Sequence, residues 1–268
     1  MLLLLFSFAS YGIFLLVFLY LLAFLANLQT TALADAWPAL MAWIPYSIDA
    51  GRQPGPLATA LPINIGLIAL FGLQHSIMAR QGFKAAWTRI VPREAERSIY
   101  VLLSSVVLVI LMWLWQPMPE PAVWHADAAW TTALAWSVMI AGIGILLLST
   151  FLIDHFDLFG LRQAWTAFTQ RTFRHPEFRT PLFYKWVRHP LYVGWFCIFW
   201  GTPHMSIGHL LFAAGMTGYI FIAIQYEERD LVSFHGEAYQ RYRQEVPMVM
   251  PMPGRKHAAP VRGSETSM

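Results

Sequence analysis

The chain has 268 residues, 57% hydrophobic and 12% charged, with 18 Lys and Arg against 15 Asp and Glu and a mean hydropathy of +0.49. A soluble domain carries roughly twice that charged fraction, so the composition excludes an ordinary water-soluble protein and makes the bilayer the main solvent. A single cysteine, Cys197, excludes a disulfide framework and a thiolate metal cluster; with no Gly-rich nucleotide loop and no His-Glu-x-x-His motif, neither a metal nor a nucleic-acid partner is expected.

In chain order, the first charge is Asp35, and the apolar run from Leu2 to Gln29 exceeds the roughly 20 residues that a membrane helix needs. It is also longer than the core of a secretory leader and lacks a basic stretch before it, so it reads as a retained span. Further apolar blocks are Leu57–Ala79, Ser98–Trp115, Trp130–Ile153, Leu191–Pro203 and His209–Ile224, which makes six candidate segments. The fifth is too short for a hydrocarbon core of roughly 30 Å, and "GTPHMSIGH" predicts that the last two form a short helical hairpin. The expected fold is therefore an all-α integral membrane protein of about six transmembrane segments, forming one domain over residues 1–253. Residues 254–268 read as a disordered polar tail.

Of the 18 basic residues, five lie between Arg80 and Arg97, six between Arg162 and Arg188 and six from Arg229 onward, leaving Arg52 alone. If the six segments alternate, all three groups fall on one side. Basic residues favour the cytoplasmic side, which predicts that both termini lie in the cytoplasm.

Two clusters carry chemistry. In "YKWVRHPLYVGW", Tyr184 to Trp195, Pro190 suits the first turn of a helix, so Arg188 and His189 sit at an N-terminus that already favours an anion. Tyr192 and Gly194 follow one turn in, offering a ring, a hydroxyl and close backbone approach. A membrane interface presents the same residue types to lipid headgroups, so this motif alone leaves both readings open. In the second cluster Glu227 and Glu228 stand where the last apolar helix emerges. Adjacent residues lie about 100° apart on a helix, so one of the two should turn inward and need a partner. Periodicity does not choose between them; His235, seven residues on, favours Glu228.

The pattern Arg188-His189-Pro190-Leu191-Tyr192-Val193-Gly194, then a hairpin, then Glu227-Glu228 with Gly236, Tyr239, Tyr242 and Val246-Pro247, resembles the isoprenylcysteine carboxyl methyltransferase and phospholipid methyltransferase superfamily. One departure is Leu182, where many members carry glycine. The segments Leu73 to Ser105 and "DHFDLFGLRQ", Asp154 to Gln163, are similar to the bacterial methanethiol S-methyltransferases and NnrU-like membrane proteins. The resemblance implies a cytoplasmic cofactor pocket for S-adenosyl-L-methionine, with Tyr184, Arg188, His189, Tyr192, Gly194 and Glu228 binding it. It implies methyl transfer to methanethiol, a small thiol, giving dimethyl sulfide. The thiolate is the nucleophile, and candidate bases at the right level are His75, Asp154, His155, Asp157, His189 and Glu227. Alternatives are another acceptor (a different thiol, an isoprenylcysteine carboxylate or a lipid amine) and a non-enzymatic NnrU-like accessory or transport role.

Overall fold

The computed structural model of the chain describes residues 1–173 and 179–252; the expected tail, 254–268, lies outside them. Five helices are long and apolar enough to cross a membrane: α1 (Leu2–Leu25), α2 (Leu57–Ala79), α3 (Arg93–Leu114), α4 (Ala129–Ile153) and α6 (Ile207–His235). Between the last two lies a short apolar helix, α5 (Pro190–Trp200), and α7 (Glu237–Glu245) follows α6. The bundle is a multi-pass membrane architecture.

Its side chains are sorted as lipid demands. Along α1, Ser7 and Ser10 are buried while Leu2, Leu5, Phe8, Leu16 and Leu19 face outward. Asn64, Ser98, Ser104, Ser105 and Ser149 are likewise inside, and Ile140, Phe151 and Ile222 outside. Lipid solvates leucine as well as a protein core does, so the inside of such a bundle is where small and hydrogen-bonding residues gain most. Ser98 donates to Ser7 across the α1/α3 contact at 2.8 Å.

The fifth segment is shorter still than its apolar block. Eleven residues of α5 rise about 16 Å, and the chain continues past Gly201 to strand β2 (His204–Ser206), which pairs antiparallel with β1 (Ala122–His125). The expected hairpin is therefore a helix completed by extended chain. Alpha-helical content dominates, with this two-stranded ribbon as the addition the sequence did not announce. α5 lies against α4 through glycines: a Cβ on Gly194 would meet the Gly142 carbonyl oxygen at 2.8 Å, and one on Gly201 would meet the Met139 amide nitrogen at 2.7 Å. Small residues let two backbones approach to this degree.

The molecule has two poles. One gathers the start of α1, the ends of α2, α4 and α6, and the starts of α3 and α5; the described Lys and Arg apart from Arg52 sit on its segments. The other holds β1, β2 and the segment from Ala26 to Pro56 with its short helical turns, stitched by Asn64 to Gln116 and by Ser206 to Asp49.

Candidate active site

At the basic pole the geometry starts from Glu228. It sits two turns before the end of α6 and is 2% exposed. Arg188 Nε donates to its Oε1 at 2.7 Å, His189 Nε2 meets the same oxygen at 3.1 Å, and Arg243 Nε, from α7, reaches Oε2 at 3.0 Å. A buried carboxylate is tolerated only when so paired. Arg188 does more: its Nη1 donates to the carbonyl oxygens of Arg243 and Val246, at 3.0 and 2.5 Å. The backbone amides of Arg188 and His189 donate to Pro247 and Met248 oxygens at 2.9 and 3.0 Å. The planar guanidinium fork thus pins the start of α5, the end of α6 and the segment 243–248 into one unit. Pro190, at the first position of α5, needs no amide partner there.

Glu227 is placed differently. Its side chain is 43% exposed, and its Oε2 accepts from the Tyr192 hydroxyl at 2.8 Å, with His189 Nδ1 at 3.9 Å. Tyr184 stands close by: burial pushes its pKa up, and the Glu227 charge adds to the effect. The Tyr242 hydroxyl donates to the Tyr184 carbonyl oxygen at 2.6 Å, and burial raises the pKa of Tyr239 and Tyr242 as well. All three phenols stay protonated at neutral pH. Residues 182–185 form a short 3-10 turn that presents Tyr184, entered through Leu182 at φ +40°. That left-handed backbone favours glycine, and here a leucine holds it.

The arrangement sorts the predicted residues. Glu228 is the carboxylate that turns inward, but its oxygens are taken up by Arg188, His189 and Arg243; the carboxylate open to a ligand is Glu227. The anion expected beside Arg188 is accordingly internal, and Arg188 is a clamp. The close approach that Gly194 permits is used by α4, as its contact with Gly142 requires. His75 lies deeper, bonded to Tyr100 Oη at 2.7 Å through Nε2 and to Ser104 Oγ at 3.1 Å through Nδ1. Asp154 and His155 belong to a different cluster. His155 is held by Tyr11 and Thr150, at 2.7 and 2.8 Å, and burial lowers its pKa against the opposing charge of Asp154. Asp154 caps the turn at the Asp157 amide and pairs with Arg162. Neither shares a partner with Glu227 or Glu228. Arg243, Tyr100, Ser104 and Tyr219 are additions; hydroxyls inside otherwise apolar spans were the signal for the last three. No group of metal-ligand side chains occurs among the described residues.

The NnrU protein family model matches residues 64–251, which include every residue of this site. The chain belongs to the NnrU family. Within it, the chain is 50% identical over 214 residues to the methanethiol S-methyltransferase of Crocosphaera subtropica, covering 80% of this chain and 83% of that protein. It is 46% identical to methanethiol S-methyltransferase 2 of Bradyrhizobium diazoefficiens, over 92% of this chain and 89% of that one. Identity to the methanethiol S-methyltransferase of Mycobacterium tuberculosis is 42%, over 92% of this chain and 95% of that protein. No solved structure matches this NnrU-family chain.

Proposed function

We propose that this chain is a membrane methyltransferase that moves a methyl group from S-adenosyl-L-methionine to methanethiol, forming dimethyl sulfide. The observation that carries the reading is the extent of identity to relatives bearing that name, 50, 46 and 42% over most of each chain. The site is compatible with it. When bound, S-adenosyl-L-methionine supplies an electrophilic methyl on a cationic sulfur. The half-open Glu227 carboxylate suits a ligand that brings positive charge or hydroxyl donors, and Tyr192 holds that carboxylate in one orientation. Tyr184 and Tyr192 offer ring faces for the adenine, and His189 completes the wall. The half-exposed guanidinium of Arg243 is a cation open to the ligand's carboxylate, in place of the buried Arg188. Glu228 acts from beneath, fixing Arg188 and His189.

Transfer between two sulfurs is an in-line displacement, so the protein aligns the partners and keeps water out. A small apolar thiol dissolves in the bilayer, and α1–α6 form the methyltransferase unit that receives it, within residues 1–253. The fifth crossing is α5 plus its extended continuation, giving six crossings in all. With basic residues gathered at the Glu227 pole, the positive-inside rule puts that pole and both termini in the cytoplasm of a bacterium. A reporter inserted between Arg80 and Arg97 should then read cytoplasmic; a periplasmic signal overturns the orientation.

Gas chromatography of the headspace above purified protein, S-adenosyl-L-methionine and methanethiol tests the activity. Dimethyl sulfide formed in equal amount to S-adenosylhomocysteine is the expected result. Cofactor turnover with another thiol or a lipid amine but not with methanethiol moves the acceptor; no product from any acceptor removes the enzyme reading.

A further inference from the structure

His75 is the candidate base that stands on α2, between Tyr100 and Ser104 of α3. It lies on α2 one turn from the basic pole, stacked on Phe71 with ring centroids 5.2 Å apart and edge-on to Tyr219 at 6.3 Å. Tyr219 lies across α2 because residue 72 is glycine; a Cβ there would meet the Tyr219 ring at 3.0 Å. Tyr219 stands eight residues before Glu227 on α6, about 12 Å along the helix. Tyr100, Tyr219 and His75, from α3, α6 and α2, therefore meet about two turns deeper in the bundle than Glu227.

We propose that Tyr100, His75 and Ser104 form the relay that takes the proton of the acceptor thiol. This rests on the methyl-transfer reading above. With the His75 Nδ1 hydrogen donated to Ser104 Oγ, its Nε2 is an acceptor, and the Tyr100 hydroxyl donates to it. A second lone pair on Tyr100 Oη remains to accept from the thiol. In the reaction the thiol S–H bond breaks, its proton going to Tyr100 Oη while the hydroxyl proton of Tyr100 passes to His75 Nε2. The freed sulfur lone pair forms the new S–CH3 bond. The old bond from methyl to the sulfonium breaks, and its electron pair stays on the departing neutral thioether. One proton is left on His75 and is returned to water once the products leave. Tyr100 is the catalytic residue, touching the thiol; His75 acts through it, and Ser104 sets the tautomer. The other candidates have different duties: Glu227 is bound to Tyr192 at the donor side, and Asp154 and His155 belong to the Tyr11 and Arg162 cluster.

The test compares two acceptors. Methanethiol must be deprotonated, whereas methaneselenol is already ionised at neutral pH. Tyr100→Phe removes the relay's acceptor oxygen and keeps the ring. It should slow turnover of methanethiol by about 100-fold, the usual scale for losing a general base, and turnover of methaneselenol by less than about tenfold. His75→Gln should behave likewise and serves if Tyr100→Phe does not fold. Titration calorimetry should give the variants wild-type affinity for S-adenosyl-L-methionine. Equal losses with both acceptors, or no loss with methanethiol, overturn the relay. A wild-type protein that methylates neither acceptor overturns the activity itself, which separates the two failures.

Discussion

The two poles each bury a carboxylate, Glu228 at 2% and Asp49 at 9% exposure, and they hold it in opposite ways. Glu228 is met by Arg188, His189 and Arg243. Asp49 receives hydrogen bonds from neutral groups, Ser206 Oγ at 2.5 Å and Asn27 Nδ2 at 3.1 Å, and burial drives its pKa up. A carboxylate set among cations organises charge, and the neighbour it leaves half open, Glu227, can face a ligand. One set among hydroxyls and amides only ties a loop to a strand. The contrast separates a site from a seam.

Arg188→Ala should break the first arrangement most severely. Removing one partner from a buried ion pair strands the other, and the cost is about 3–5 kcal/mol; thermal unfolding in detergent should show a large drop in midpoint. An unchanged midpoint would mean that Arg188 is not the clamp. Arg243→Ala should cost less, about 1 kcal/mol, because this guanidinium is 44% exposed and Glu228 keeps two partners.

The smallest effect belongs to Asp49→Asn. The folded-state pKa of Asp49 lies above its unfolded value, so the folded state binds the proton more tightly. Its contribution to stability is full below the unfolded pKa and is lost as pH rises through the folded one. The variant should therefore unfold slightly higher than wild type at pH 7, by less than about 1 kcal/mol, and the difference should shrink as the solution is acidified toward the carboxylate range. A variant less stable than wild type at pH 7 would show that Asp49 is needed charged.

The spans were legible because lipid contact writes itself into long apolar runs: Leu57–Ala79 is both block and helix. Their ends were less so. α3 begins at Arg93, five residues before its apolar block, because its first five residues include Arg93, Glu94, Glu96 and Arg97 and project beyond the lipid. α6 runs on to His235 for the same reason. The β1/β2 ribbon was not legible, since four and three residues make no pattern. At the site, the need of Arg188 for an anion was readable from charge and helix position. That the anion is Glu228, 40 residues away, depends on how α5 and α6 pack. Gly194 likewise advertised a close approach without naming Gly142 as its object. The Tyr100 bond to His75 joins two helices across 25 residues, a pairing that no spacing rule reveals.

The central claim is that the pole with Glu227 binds the methyl donor. Isothermal titration of the purified protein with S-adenosyl-L-methionine tests it most directly, with Glu227→Gln alongside. The wild type should bind one equivalent saturably. The variant, which keeps the Glu228 clamp and so the wild-type melting temperature, should bind at least about tenfold more weakly, a loss of about 1.4 kcal/mol. No binding by the wild type, or the same affinity in the variant, would contradict the account.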